Sequence, residues 1–73
     1  MPARARAVDR AVALSRALAT SRQIGTAVEV LMHARTVTAD EAFAMLVASS
    51  QHLDRALRLV AGDVTATGTL PAP

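Results

Sequence analysis

The sequence predicts an all-α fold, a long N-terminal coiled-coil-like helix running into a three-helix bundle. Three observations carry that reading. Between Ala3 and Arg35 there is no proline and only one glycine, Gly25, in a stretch dominated by the strong helix formers alanine and arginine. Apolar residues recur at helical spacing in both halves of the chain. The interruptions are helix punctuation: Thr38-x-x-Glu41 has the form of a start, and Gly68 with Pro71 beyond it has the form of a stop.

The first helix covers Ala3 to Arg35. Seven-residue spacing puts Ala7, Leu14, Ser21 and Val28 on one line and Ala11, Leu18, Gly25 and Met32 on its companion. That is an a/d seam, mostly small and apolar apart from Ser21, and small residues let two helices approach closely. Leu14, Leu18, Val28 and Met32 are its larger members and the candidate dimer contacts. A second stripe, Ile24, Ala27, Val30, Leu31 and Ala34, follows ordinary amphipathic spacing. Two apolar faces leave one for the monomer and one for a second chain. The alternative is a single long helix whose apolar side wraps only its own core.

The β-branched run Thr36-Val37-Thr38 breaks the pattern. Thr38 then caps a second helix expected from Ala39 to Ser50, with Glu41 reaching back and Asp40 and Glu41 favoured at the positive end of the helix dipole. His52-Leu53-Asp54 reads as a short turn in which Asp54 is the N-cap of a third helix. That helix carries Leu57, Val60, Ala61 and Val64 at helical spacing, is weakened by Gly62 and stops at Gly68. Thr69 to Pro73 is expected to fray.

Composition narrows the function classes. Seventy-three residues make one small domain, marginal alone, and with no cysteine and a single aromatic, Phe43, the core must come from Leu, Val, Met and Ala. So thin a core favours oligomerisation. The eight basic residues are all arginine and exceed the six acidic ones to give a net charge of +2, which permits nucleic-acid binding without requiring it. No apolar run approaches the roughly 20 residues of a membrane span. The Arg- and Ala-rich start has a little of a transit peptide but lacks a secretory apolar region and contains Asp9, so it reads as a helix with a solvated basic face.

Chemistry-bearing patterns are sparse. His33 and His52 lie far apart, and neither has a carboxylate or cysteine at ligand spacing. There is no nucleophile elbow, P-loop or dinucleotide fingerprint, and the capping role accounts for Asp40 and Glu41. No enzyme activity, metal, cofactor or small-molecule substrate is expected. Phe43 and Val47 flank the Ala42–Leu46 stripe, so the ring covers the core with one face and offers the other to solvent or a ligand.

The ordered set Ser21-Arg22-x-Ile24-Gly25-x-Ala27, Leu31-Met32, Thr38-x-x-Glu41-Ala42-Phe43-x-x-Leu46, Ser50-Gln51 and Arg55-x-Leu57-Arg58-x-Val60-Ala61 resembles the ANTAR domain. The resemblance covers Ser21 to Ala61 and reaches weakly through Thr67-Gly68-Thr69-Leu70-Pro71. It implies residues 1–20 as a coiled-coil dimerisation helix, 21–68 as an ANTAR-type three-helix domain and 69–73 as a flexible tail. It also implies a cytoplasmic RNA-binding regulator that binds tandem stem-loops in nascent mRNA and prevents transcription termination. Such a protein works as a homodimer or a heterodimer with related ANTAR proteins. With no room for a receiver or sensor domain, this chain would be a stand-alone output, or one regulated by its level or by a partner. The implied RNA contacts are Phe43, Arg22, Arg55, Arg58 and Arg35. Phe43 then stacks on an unpaired base, the other reading being a ring packed between helices.

The chain also departs from the family pattern. Cations usual in the family are replaced by Ala34, Val47 and Ala56, Thr36 stands at a basic or glycine position, and Asp54 and Glu29 add acids. Phosphate contacts supply much of nucleic-acid affinity, so each lost cation weakens it. Arg22, Arg35, Arg55 and Arg58 remain, with Arg4, Arg6, Arg10 and Arg16 in the N-terminal segment. Two functions follow from this balance. One is an RNA-binding antiterminator; the other is a degenerate ANTAR-like dimerisation or protein-interaction module that has lost RNA binding.

Overall fold

A computed structural model describes residues 3–72, with side-chain surroundings from Arg6 to Ala72. The Arg4 side chain, Met1, Pro2 and Pro73 lie outside the described residues. The chain is all-α, with α1 over Ala3–Arg35, α2 over Ala39–Leu53 and α3 over Leu57–Thr67. At about 1.5 Å of rise per residue, the 33 residues of α1 account for the long dimension of a 50 × 22 × 20 Å molecule.

The core is the place where α1 meets both other helices. It consists of Ala27 and Leu31 of α1, Ala42 and Leu46 of α2, and Val60, Ala61 and Val64 of α3, all fully buried. Ile24, Val28, Val30, Met32, Val37, Met45 and Leu57 pack around it half-buried. The amphipathic stripe of α1 therefore serves the monomer, except at Ala34, which is exposed. From Arg6 to Ala19 every residue of α1 is exposed, so this part of the helix projects beyond the bundle.

The α1–α2 corner rests on a costly conformation. Thr36 has φ 55°, in the left-handed region that a β-branched residue rarely occupies. That turn lets the Val37 N–H donate to the Met32 carbonyl at 3.3 Å and brings the Val37 side chain against the core. The expected capping box follows. The Glu41 N–H donates to Thr38 Oγ1 at 3.2 Å, and the Thr38 N–H donates to Glu41 Oε1 at 3.1 Å.

The α2–α3 corner differs from the sequence expectation. α2 continues past Ser50 to Leu53, so His52 and Leu53 are helical rather than turn residues. Asp54 does not cap α3; it is the left-handed C-cap of α2, with φ 51° and ψ 44°. The physical reason is that the chain needs a left-handed residue to close α2, a conformation aspartate tolerates. This lets the Arg55 N–H donate to the Ser50 carbonyl at 3.0 Å. The Ser50 hydroxyl ties the same corner by donating to the Arg55 carbonyl at 2.6 Å. α3 then starts from Ala56, with no side-chain cap.

Gly62 lies where α3 passes α1. A Cβ at this position would stand 2.9 Å from Gln23 Nε2, so the missing side chain lets the Gln23 amide lie against α3. Gly68, at φ 79°, closes α3 by donating its N–H to the Val64 carbonyl at 2.7 Å. Beyond it, Leu70 is not free but half-buried against the core.

Two stability measurements test these corners. Thr36→Gly removes the Cβ strain of the left-handed turn, worth about 1–2 kcal/mol, and returns part of it as unfolded-chain entropy. The thermal midpoint is expected to rise, by the equivalent of about 0.5–1 kcal/mol. The Thr38 backbone N–H, and then the Thr38 hydroxyl, hold the Glu41 carboxyl below the usual carboxylate range. A depressed folded value contributes stability that is present above the unfolded value of about 4.3 and lost as pH falls through the folded one. The midpoint difference between wild type and Glu41→Gln is therefore expected to stay constant above about pH 5 and to shrink steadily below it.

Candidate nucleic-acid interface

The one aromatic ring is left out of the core. Phe43 follows Ala42, which is fully buried, and the helical rotation of about 100° per residue swings the ring to the flank of α2, where it is 46% exposed. A ring in that position offers a face on which a base can stack. Val47, one turn further along the same flank, is half-buried.

The arginines separate into three environments. Arg22 and Arg35 are exposed on α1, the first with its carbonyl accepting the Thr26 hydroxyl at 3.0 Å and the second closing the helix. Arg55, in the corner between α2 and α3, is half-buried and donates from Nη1 to Asp63 Oδ2 at 2.5 Å. An ion pair this open contributes at most about 1 kcal/mol to stability. It nevertheless occupies one nitrogen of the guanidinium. Arg58, in the first turn of α3, is exposed.

Arg58 shares a groove of about 480 Å³ with residues of α1: Arg16, Ala19, Thr20 and Gln23. By sequence alone Arg16 is only one of the N-terminal cations, and no clustering is visible. The signal was nonetheless present. Followed backwards from Leu31 by single helical turns, the core line of α1 runs through Ala27 to Gln23, then Thr20 and Arg16. It turns from apolar to polar while still facing α3. A second opening of about 500 Å³ lies between the later half of α2 and the chain after α3, lined by Met45, Ala48, Ser49, His52, Leu53, Leu70 and Pro71.

Where cations are missing relative to the family pattern, Ala34 and Ala56 are exposed and Val47 half-buried, so all three are accessible positions. The heptad seam divides. Leu14 and Leu18 are 61% and 57% exposed on the projecting part of α1, whereas Val28 and Met32 are half-buried against the core. Among the described residues, no helix is long and apolar enough to cross a membrane.

The family model for the ANTAR domain matches residues 12–64, so it takes in the three-helix core, Phe43, the groove and part of the projecting helix. Neither a curated protein nor a solved structure matches the chain. A match over this much of the sequence, joined to an all-α fold whose capping box and surface aromatic fall on the expected residues, shows that the chain belongs to the ANTAR domain family of non-enzymatic, RNA-binding antitermination regulators.

Proposed function

We propose that this chain binds paired stem-loops in nascent mRNA, in the cytoplasm, and so prevents formation of a terminator. Phe43 takes an unpaired loop base, and Arg22, Arg35, Arg55 and Arg58 take backbone phosphates. The observation that carries this reading is the exposure of Phe43, 46% in a protein with no other aromatic to spend. A chain whose core is this thin gains more stability from burying that ring than from leaving it at the surface. Its placement outside the core supports a role in recognition.

The protein works as a dimer in this reading. Leu14 and Leu18 stand exposed four residues apart on the projecting helix, at coiled-coil positions. A second chain laid along that face would cover them and hold two RNA-binding bundles together, one for each stem-loop. The partner is a second copy or a related ANTAR chain. The exposed alanines at 34 and 56 favour a second reading, in which the same dimer face is kept for protein contact and RNA binding is lost.

Fluorescence anisotropy with a labelled two-hairpin RNA and a scrambled RNA of equal length separates the two. Wild type is expected to prefer the hairpins at near-physiological salt. Phe43→Ala is expected to weaken that binding by about 10-fold or more, since base–aromatic stacking is worth about 1–3 kcal/mol per base. Equal and weak binding to both RNAs, vanishing with salt, would leave only the protein-contact reading. A further variant examines the ion pair. Asp63→Asn releases Arg55, so it is expected to tighten hairpin binding and steepen its salt dependence by up to about 0.9 in log–log slope. Its thermal stability should fall by no more than about 1 kcal/mol.

A further inference from the structure

We infer that the groove between α1 and α3 is a phosphate clamp for the RNA backbone, formed by Arg16 and Arg58 with Thr20 and Gln23. It rests on the RNA-binding reading and adds a contact outside the motif, since Arg16 precedes Ser21. The clamp grips the sugar–phosphate chain independently of sequence, while Phe43 reads a base.

Four features of the groove support this assignment. The first is its charge. Arg16 and Arg58 come from different helices and line one cavity that no acidic residue lines. Among the described residues the one ion pair joins Arg55 to Asp63, so these two guanidiniums are both left without a carboxylate. Two like charges lining a shared groove repel each other, and an anion placed between them turns that repulsion into attraction. A guanidinium presents a fork of donors suited to phosphate oxygens.

The second feature is the place of the polar residues. Arg16, Thr20 and Gln23 continue the line on which Ala27 and Leu31 are fully buried. Apolar residues there would lengthen the core of a protein that has little of it. Polar ones leave a donor-lined opening instead.

Third, the donors are uncommitted. The hydroxyls of Thr26, Thr65 and Thr67 each donate to the carbonyl four residues earlier. Thr20 is half-buried on the same kind of helix, and among the described residues its hydroxyl forms no such bond. The Gln23 amide is held against Gly62, where a Cβ would stand 2.9 Å away, so glycine seats this donor in the groove. Fourth, Ala19 keeps the wall low and no aromatic ring lines the groove. That leaves the guanidinium forks, suited to phosphate oxygens, as the groove's main recognition groups.

The test follows anisotropy of the labelled two-hairpin RNA from about 50 to 200 mM salt for wild type, Arg16→Gln, Gly62→Ala and Phe43→Ala. Arg16→Gln is expected to lower affinity about five-fold or more and to reduce the log–log salt slope by about 0.7–0.9. Its preference for hairpin over scrambled RNA and its thermal midpoint should stay unchanged. Gly62→Ala displaces only the end of a flexible side chain, so the fold is kept, and affinity should fall with the slope retained. Phe43→Ala should do the reverse of Arg16→Gln, losing hairpin preference and keeping the slope. Wild-type affinity and slope in Arg16→Gln would overturn the clamp while leaving the RNA-binding reading intact.

If wild type itself shows no hairpin preference, that reading fails and the groove is decided separately. Arginine Nε–Hε resonances are then titrated with a single-stranded oligoribonucleotide and with inorganic phosphate. Joint shifts of Arg16 and Arg58 at lower oligoribonucleotide than phosphate concentration uphold the clamp. Equal or tighter response to inorganic phosphate makes it a free-phosphate site and overturns the RNA assignment, as does the absence of a joint shift.

Discussion

Everything in this molecule hangs on one line of α1, where Ala27 and Leu31 meet α2 and α3 at once. Among the described residues the fully buried core is seven aliphatic residues, three of them alanine. Dispersion and hydrophobic burial scale with area, so small side chains stabilise a bundle only if the backbones come close. Close approach explains why the helix crossings are lined by Ala27, Ala42 and Ala61. It also explains why the corners are held by specific hydrogen bonds rather than by bulk. The capping box at Thr38 and the Ser50 tie to the Arg55 carbonyl fix the angles at which α2 and α3 can reach that line.

Much of the fold was legible because helix signals are local. The long α1, the Thr38 start, the Gly68 stop and the core-facing stripe of α1 all follow from propensity, capping and periodicity within a few residues. The α2–α3 corner was not, because Asp54 is equally suited to an N-cap and to a left-handed C-cap. The choice was made by Ser50 and Arg55, which bond across the corner only when α2 runs on to Leu53. The contact of Leu70 with the core was illegible for a similar reason. A lone apolar residue after a glycine stop looks like tail until the surface it lands on exists.

The candidate site was legible by residue type and illegible by grouping. Phe43 and the arginines could be named from the motif. That Arg55 is engaged by Asp63 depends on how the α2–α3 corner folds, and that Arg58 and Arg16 line one groove depends on how α3 packs on α1; no local pattern contains either. The partial clue was on α1 itself, where a line of core spacing turns polar at Gln23. A pattern reader takes that turn as the end of the core; packed against α3, it is a lined opening.

The projecting part of α1 has a consequence that reaches beyond the bundle. The helix passes from Arg6 into the core with no proline, and Gly25, its only glycine, stays helical. It is an arm without a joint. Whatever engages Leu14 and Leu18 is therefore held at a set distance and azimuth from Phe43, as a cam is keyed to its shaft. Each residue added or removed between them would shift the bundle by about 1.5 Å and turn it by about 100°. In the dimer proposed above, the separation of the two bundles would be written in helix length and phase, and the spacing of stem-loops that such a dimer could bridge would follow from counting residues along α1.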